Sequence, residues 1–379
     1  MKKIALSIIT ILFGLSTISH AKSPYFNIED HSLKRFSISA GWLHASPQGS
    51  PNPVKMSTHA KGTNYKNQSL RTSTIPNYIA RTPEGNAART RYDSLLTAIN
   101  EPYSFLTIPN NTFTPNLSGI TQINSLENWS NPKSGFKAQD LDALGIMMNY
   151  HISDNISIGL KLNSPSNLKL NGVGKLNAPI QGFTLLQGRT QGENSATDNN
   201  AVNAVRAIPL DGRIPITNLE QSKTAASMRA WLPAIEVQYQ FGQAGITAFR
   251  PYIGVGVMYA HFSHMKLDKG IEKDLINTGH FVQNLLDQNA GAALEGRKSS
   301  ADPKVKIQTK NAFAPILTIG ATYDFDSNWF AVASVSYAKL HTTAEILIRD
   351  NNTYKTLGRA KSKINIDPFM TYVGVGYRF

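Results

Sequence analysis

Apolar residues alternate with small or polar ones over stretches of about ten positions, the period-2 pattern of a strand with two unlike faces. The pattern occurs eight times. In 36–45, Phe36, Ile38, Ala40 and Trp42 point one way and Ser37, Ser39 and Gly41 the other. In 144–152 the apolar face is Leu144, Ile146, Met148, Tyr150 and Ile152; in 156–163 it is Ile156, Ile158, Leu160 and Leu162. The segments 231–241, 249–261, 313–325 and 369–379 repeat the pattern, and a less regular one starts at Trp329 and runs to about 348. Gly, Ala, Ser and Thr dominate the second face, as a narrow barrel interior requires. Aromatic residues (Trp42, Tyr150, Trp231, Tyr239, Phe249, Tyr259, Trp329, Phe379) gather at the segment ends, where amphipathic rings meet a lipid–water boundary.

The spacing between segments sets the topology. Ser153-Asp154-Asn155, Asp326-Ser327-Asn328 and the link 242–248 are short, with the Asp, Asn and Gly chemistry of tight turns. The other connections, 47–140, 166–228, 264–310 and 349–362, are long. Alternation of short and long connections is the rule for short periplasmic turns and long extracellular loops. The expected fold is all-β: an eight-stranded antiparallel transmembrane β-barrel, both termini periplasmic, with one short helix in the third loop. That helix is expected over 273–290, where Leu275, Val282, Leu285, Leu286 and Asn289 fall on nearly one face. It has two open placements, plugging the barrel mouth or lying in the lipid interface. The first loop is rich in Asn, Ser, Thr and Pro with scattered Lys and Arg. Composition leaves open whether it is disordered or forms a cap.

The N-terminus changes the compartment. Lys2 and Lys3, the apolar run 4–15 and the small-residue exit Ser19-His20-Ala21 form a secretory signal, too short to span a membrane as a helix. The expected organisation is a signal peptide at 1–21, a periplasmic segment at 22–33 and the barrel at 34–379, in the outer membrane of a Gram-negative-type bacterium. No later stretch reaches the roughly 18 apolar residues of a spanning helix. There are no cysteines, which excludes disulfides, zinc–thiolate sites and thiol catalysis. The formal charge of +13 includes Lys2 and Lys3, so removing the signal leaves +11. Export argues against nucleic acid and makes the phosphates of lipopolysaccharide the natural counter-charge. The slightly negative mean hydropathy suits a barrel with a polar lumen and polar loops.

Enzymatic chemistry is not visible. Gly254-Val255-Gly256 lacks the third glycine and following helix of a dinucleotide site, and no Walker, G-x-S-x-G or H-E-x-x-H pattern occurs. His261 and His264, three apart on a strand, fall on opposite faces, against a shared metal. No catalytic residue, cofactor or metal is expected.

Phe249-Arg250-Pro251-Tyr252-Ile253-Gly254-Val255-Gly256, and Ile366-Asp367-Pro368-Phe369 with Gly374-Val375-Gly376-Tyr377-Arg378-Phe379, resemble signature strands of the OmpW/AlkL family. Asp154-Asn155-Ile156, Ser164-Pro165, Leu232-Pro233 and Thr342-Thr343-Ala344 resemble it too. The resemblance covers all eight strands but not most of the first two long loops. It implies a monomeric outer-membrane barrel for passive, porin-like uptake of small hydrophobic molecules, with release sideways through the wall. By the resemblance, Lys161 and Ser336 stand where other members close the lumen floor with Leu and Trp. Met147, Lys161, Glu236, Asp324, Ser336, Met370 and Arg378 are the lumen and constriction candidates. A lumen lysine needs a partner. Glu236 and Asp324 face the same side on nearby strands and are its candidate partners, and Arg378 is a candidate partner for Glu236. These groups form either a polar plug or a path for a more polar solute. Pro47 and Pro165, ending strands one and three, cannot donate to the ladder and are the lateral-opening candidates, or they simply terminate their strands. The alternative to a channel is a surface structural or adhesive barrel whose long basic loops bind lipopolysaccharide or an external partner.

Overall fold

A computed structural model describes residues 34–100, 109–187, 205 and 207–379. The expected signal peptide and periplasmic segment lie outside the described residues. Eight antiparallel strands close on themselves: β1 (Phe36–Pro47), β2 (Leu141–His151), β3 (Ile156–Asn163), β4 (Ala234–Gln240), β5 (Phe249–Leu267), β6 (Ala312–Asp324), β7 (Trp329–Ala338) and β8 (Pro368–Arg378). Closure runs through β1 and β8, in register from Ser37↔Arg378 to Pro47↔Pro368.

The polarity of the barrel is inverted relative to a water-soluble protein. Ile38, Leu144, Ile235, Val237, Val255, Leu317, Ile319 and Val373 are exposed on its outer face, while Ser39, Ser157, Glu236, Gln238, Thr318 and Ser336 are buried inside. Burying polar groups while exposing branched aliphatics is unfavourable in water and favourable in lipid. Beside the turns, Phe36 stacks edge-on with Tyr150, Tyr239 with Phe241, and Trp329 with Tyr377, forming an aromatic girdle. Among the described residues no helix is long and apolar enough to cross a membrane. The barrel lies in the outer membrane.

The long connections contain folded structure. Above the rim, β5 pairs with Ala226–Trp231, which continues the wall through Ser166–Val173 to Gly135–Ala138. A four-stranded sheet is built from Ala207–Asn218, Lys175–Leu185, Ile120–Asn124 and Thr63–Lys66. A five-stranded sheet takes Pro303–Thr309, His341–Asp350, Thr356–Asn365, Val54–Thr58 and Asn128–Asn131, in that order. All four long connections therefore contribute strands to one extracellular cap. The first also supplies helix α1 (Pro83–Asn100), whose Ala88, Tyr92 and Leu95 pack on Leu70, Ile75, Phe113 and Ile208.

The third-loop helix is α2 (Lys269–Leu286). It begins earlier than the apolar periodicity suggests because the Asp268 side chain caps it, accepting from the amides of Gly270 at 2.9 Å and Ile271 at 3.3 Å. It stops before 290 because Gln288, at φ 55°, turns the chain, and Asn289 caps the next short helix, α3 (Ala290–Leu294). Neither expected placement holds. Leu275, Val282 and Leu285 are buried in the cap core, where α2 packs on strands of both cap sheets. The seventh strand also differs from expectation. It ends at Ala338, and the residues to 350 form a separate cap strand, His341–Asp350, which explains the irregular alternation there. At the start of β4 the chain breaks at Leu232-Pro233, so Trp231 ends the upper strand.

Leu275 is 1% exposed. Leu275→Ala should destabilise the cap by about 2–5 kcal/mol, the cost of an unfilled leucine site. Limited proteolysis should cut the cap of this variant at lower temperature, with the folded barrel's gel mobility unchanged. Simultaneous loss of both would show that cap and barrel unfold as one unit.

Candidate functional site: a layered lumen and a broken seam

Every second residue of each strand points inward, so the interior is a stack of layers set by the sequence. Small residues make room for rings from across the bore. A Cβ on Gly320 would lie 2.6 Å from Cζ of Tyr252, and one on Gly145 would lie 2.8 Å from Cε2 of Tyr372. Tyr252, Phe330 and Tyr372 fill the axis with Met147 and Val332.

The layer nearest the turns is ionic. Arg378 pairs with Asp324, and its guanidinium sits 4.4 Å over the Phe330 ring. Arg250, fully buried, donates to the carbonyls of Asp154 and Gly242 and so ties two periplasmic turns together. Gln240 donates to Thr322 at 2.7 Å.

The middle layer holds Lys161. Its ammonium lies 2.9 Å from the Glu236 carboxylate and donates to Thr318 at 2.8 Å and Ser336 at 3.1 Å. Thr318 donates to Glu236 at 2.8 Å and lies 2.7 Å from the Ser336 hydroxyl, which must therefore donate to it. Lysine carries three donors, and here three acceptors meet them. The remaining Glu236 oxygen accepts from Gln238 at 3.4 Å. The cluster is neutral overall and has no unused ammonium hydrogen.

Above it the interior turns apolar. A cavity of about 30 Å³ is lined by Leu43, Leu232, Met258, Ile316 and Met370, with Met147, Lys161 and Ser336 at its lower side. Two smaller cavities, each about 10 Å³, flank it. The lower one shares Met147 with it, and the upper one, beside Pro47, shares Leu232. A water needs roughly 10–15 Å³ of such space. None of the three holds a multi-carbon solute, and Met147, between the central and lower cavities, is an adaptable apolar side chain.

The structure brings Met147, Lys161, Glu236, Ser336 and Met370 together around the central cavity and its floor. Asp324 and Arg378 sit in the ionic layer and pair with each other, so Asp324 does not reach Lys161 and Arg378 does not pair with Glu236. Thr318, Tyr252, Phe330, Arg250 and Asn163 were not singled out from the sequence. Thr318 was legible as the inward neighbour of Ile319. Asn163 was legible in the same way, as the inward neighbour of Leu162.

The wall is interrupted between β3 and β4. Their ladder runs from Ile156↔Tyr239 to Lys161↔Ala234. It resumes at Ser166↔Ala230 in the wall extension. Pro165 and Pro233 lie in the gap, where neither can donate. The buried Asn163 side chain bridges it instead, accepting from the Leu232 amide at 2.7 Å and donating to the Ala230 carbonyl at 3.4 Å. Leu232 lines both the central and the upper cavity, so the interruption lies directly against the apolar space. Pro47 is elsewhere, opposite Pro368 at the β1–β8 rim.

Residues 290–379 match the OmpW family. The chain is similar to outer membrane protein W of Vibrio cholerae serotype O1, 27% identical over 186 residues, covering 48% of this chain and 69% of that protein. It is 26% identical to outer membrane protein W of Escherichia coli K12 over 186 residues, covering 48% and 68%. Among solved structures, the outer membrane protein OprG of Pseudomonas aeruginosa aligns with 93% of this chain and 99% of its own at 13% identity, with a TM-score of 0.44.

Breaking the ion pair from one side strands a charge. The Glu236 side chain is 0% exposed. Lys161→Met should cost about 3–5 kcal/mol in urea unfolding of the reconstituted barrel, whereas Lys161→Met with Glu236→Leu should return close to native stability. Equal stability of the single variant and the native chain would contradict a charged, mutually dependent pair.

Proposed function

Because this chain is an outer-membrane barrel related to the OmpW family, we propose that it is a passive channel for small, mainly hydrophobic molecules, releasing them sideways into the membrane. The observation that carries this reading is the apolar cavity resting on a saturated polar floor. A hydrophobic solute gains by entering the space between Leu43, Leu232, Met258, Ile316 and Met370. It gains nothing by going further down. The Lys161–Glu236–Thr318–Ser336 layer offers no free donor, and pulling it apart would expose an unpaired buried charge. The ionic layer of Arg378, Asp324 and Arg250 repeats the obstacle below. The easier exit is the gap between β3 and β4, held by one amide side chain in place of ladder bonds. No energy source or catalytic group enters this account.

One observation favours the rival reading, in which the barrel is an anchor. The cap is a folded assembly of two sheets and helices, more than a channel mouth needs.

Transport and its route can be separated in one experiment, since the native chain contains no cysteine. Ser166 and Ala230 are register partners above the gap, at a separation a disulfide can span. With Ser166→Cys and Ala230→Cys oxidised, protein-dependent uptake of toluene or octane should slow by about an order of magnitude, as expected for a gated exit, and recover on reduction. Met370→Trp, which fills the cavity, should slow uptake in either redox state. A staple without effect, with Met370→Trp still inhibitory, would leave a channel without lateral release. No uptake through any folded form would favour the anchor.

A further inference from the structure

We propose that the outward face of the five-stranded cap sheet is a binding surface for the phosphorylated sugars of lipopolysaccharide in the outer leaflet around the barrel. This assignment does not depend on what the lumen carries.

The inner face of this sheet is core: Met56, Ala344, Ile346, Ile348, Ala360 and Ile364 are buried. The outer face is cationic. Lys304 stands directly opposite Arg349, and Lys55 directly opposite Lys361. Lys306 and Arg359 flank Leu347 on the same cross-strand row, their stems covering this otherwise outward leucine. Lys363 completes the row nearest the rim, opposite Thr343. The basic residues of this face are exposed. Glu345, on the same face, is held by Arg359 at 3.1 Å, and Asp302, at the sheet's edge, lies 3.7 Å from Lys304.

Two observations point to an anionic ligand. Like charges directly opposite on neighbouring strands destabilise a sheet. Here two such pairs occupy one exposed face, where Glu345, level with Lys361, and Asp302, beside Lys304, are too few to balance seven cations. The second observation is position. The strand Thr356–Asn365 ends three residues before Pro368, where β8 enters the barrel. Lys363, Lys361 and Arg359 therefore climb from the membrane surface in steps of about 7 Å, two strand residues each. A ladder of cations rising from the rim is placed to meet phosphates carried on sugars of the same leaflet. A soluble polyanion would not require the ladder to begin at the membrane.

The test uses the full chain, folded in detergent. The probes are rough-type lipopolysaccharide, the same material after chemical removal of its phosphates, and heparin. The variant Lys55→Gln/Arg359→Gln/Lys361→Gln/Lys363→Gln should bind lipopolysaccharide about tenfold more weakly or worse. A control with as many neutralisations elsewhere on the cap, Lys66→Gln/Lys133→Gln/Lys175→Gln/Lys298→Gln, should stay within about twofold. Dephosphorylation should weaken binding by the native chain and make little further difference to the sheet variant. The native chain supplies a test that needs no variant: binding of the phosphorylated material should fall as salt rises. Salt-insensitive binding overturns the proposal, as does native affinity in the sheet variant or an equal loss in the control. Tighter binding of heparin than of lipopolysaccharide on the same four residues overturns it in favour of an external sulfated polymer.

Discussion

The structure depends on a closed backbone ladder. Lipid offers the peptide groups no hydrogen-bond partner, so a sheet can cross it only if its last strand returns to its first. Pairing of β1 with β8 over their full length does this. Closure at eight strands fixes a bore that side chains must fill, so the interior is a packed core with unusual chemistry. A proline in such a wall has no amide to donate and leaves the ladder one bond short. Where Pro165 and Pro233 interrupt the ladder between β3 and β4, the wall is kept intact by a side chain, Asn163, that presents an amide resembling the peptide group it replaces.

Filling a narrow bore with polar groups is costly unless every donor and acceptor is matched. The middle layer meets this condition for its lysine: Lys161, Glu236, Thr318 and Ser336 come from β3, β4, β6 and β7, and each completes the hydrogen bonding of another. Such a layer is difficult to part, because separating any one strand leaves a charge or hydroxyl unmatched. The apolar layer above has no such mutual obligation. Methionine side chains can rearrange there without losing a hydrogen bond. The interior thus resists deformation near the periplasm and yields near the rim.

The barrel was legible because period-2 alternation depends on local sequence alone, and its inversion, apolar outward and polar inward, survives in every strand. The inward positions of Met147, Lys161, Glu236 and Met370 follow the same parity, while Ser336, on the strand of least regular alternation, came from the family resemblance. Parity could not supply height along the bore. Asp324 and Arg378 share the inward face with Lys161 and Glu236, yet lie in a different layer, because stagger along a tilted barrel separates them along the axis. The cap was illegible for a related reason. Its sheets assemble strands from all four long connections, some as short as four or five residues, such as Thr63–Lys66 and Val54–Thr58. No local pattern announces a pairing such as Lys55 with Lys361. The cap helix was visible by its amphipathic period, but its destination was not, since the apolar face that packs it into a cap is the same face that would enter lipid.

The cap joins the barrel differently from strand to strand. Only β5 runs unbroken from wall into cap, from Phe249 to Leu267. The other crossings are interrupted, among them β3 at Ser164-Pro165, β4 at Leu232-Pro233, β7 at Lys339-Leu340 and β8 at Ile366-Asp367. At the last two, the Leu340 carbonyl accepts from the amides of Ile366 and Asp367, and Lys339 pairs with Asp367 at 3.2 Å. That joint carries several bonds where the β3–β4 gap is bridged by Asn163. The cap is continuous with the wall through β5 and clasped at β7–β8, and above the gap the continuations of β3 and β4 pair again from Ser166↔Ala230 to Leu170↔Ala226. In the proposed reading, this interruption, which lies where the apolar lumen meets the wall, is the exit.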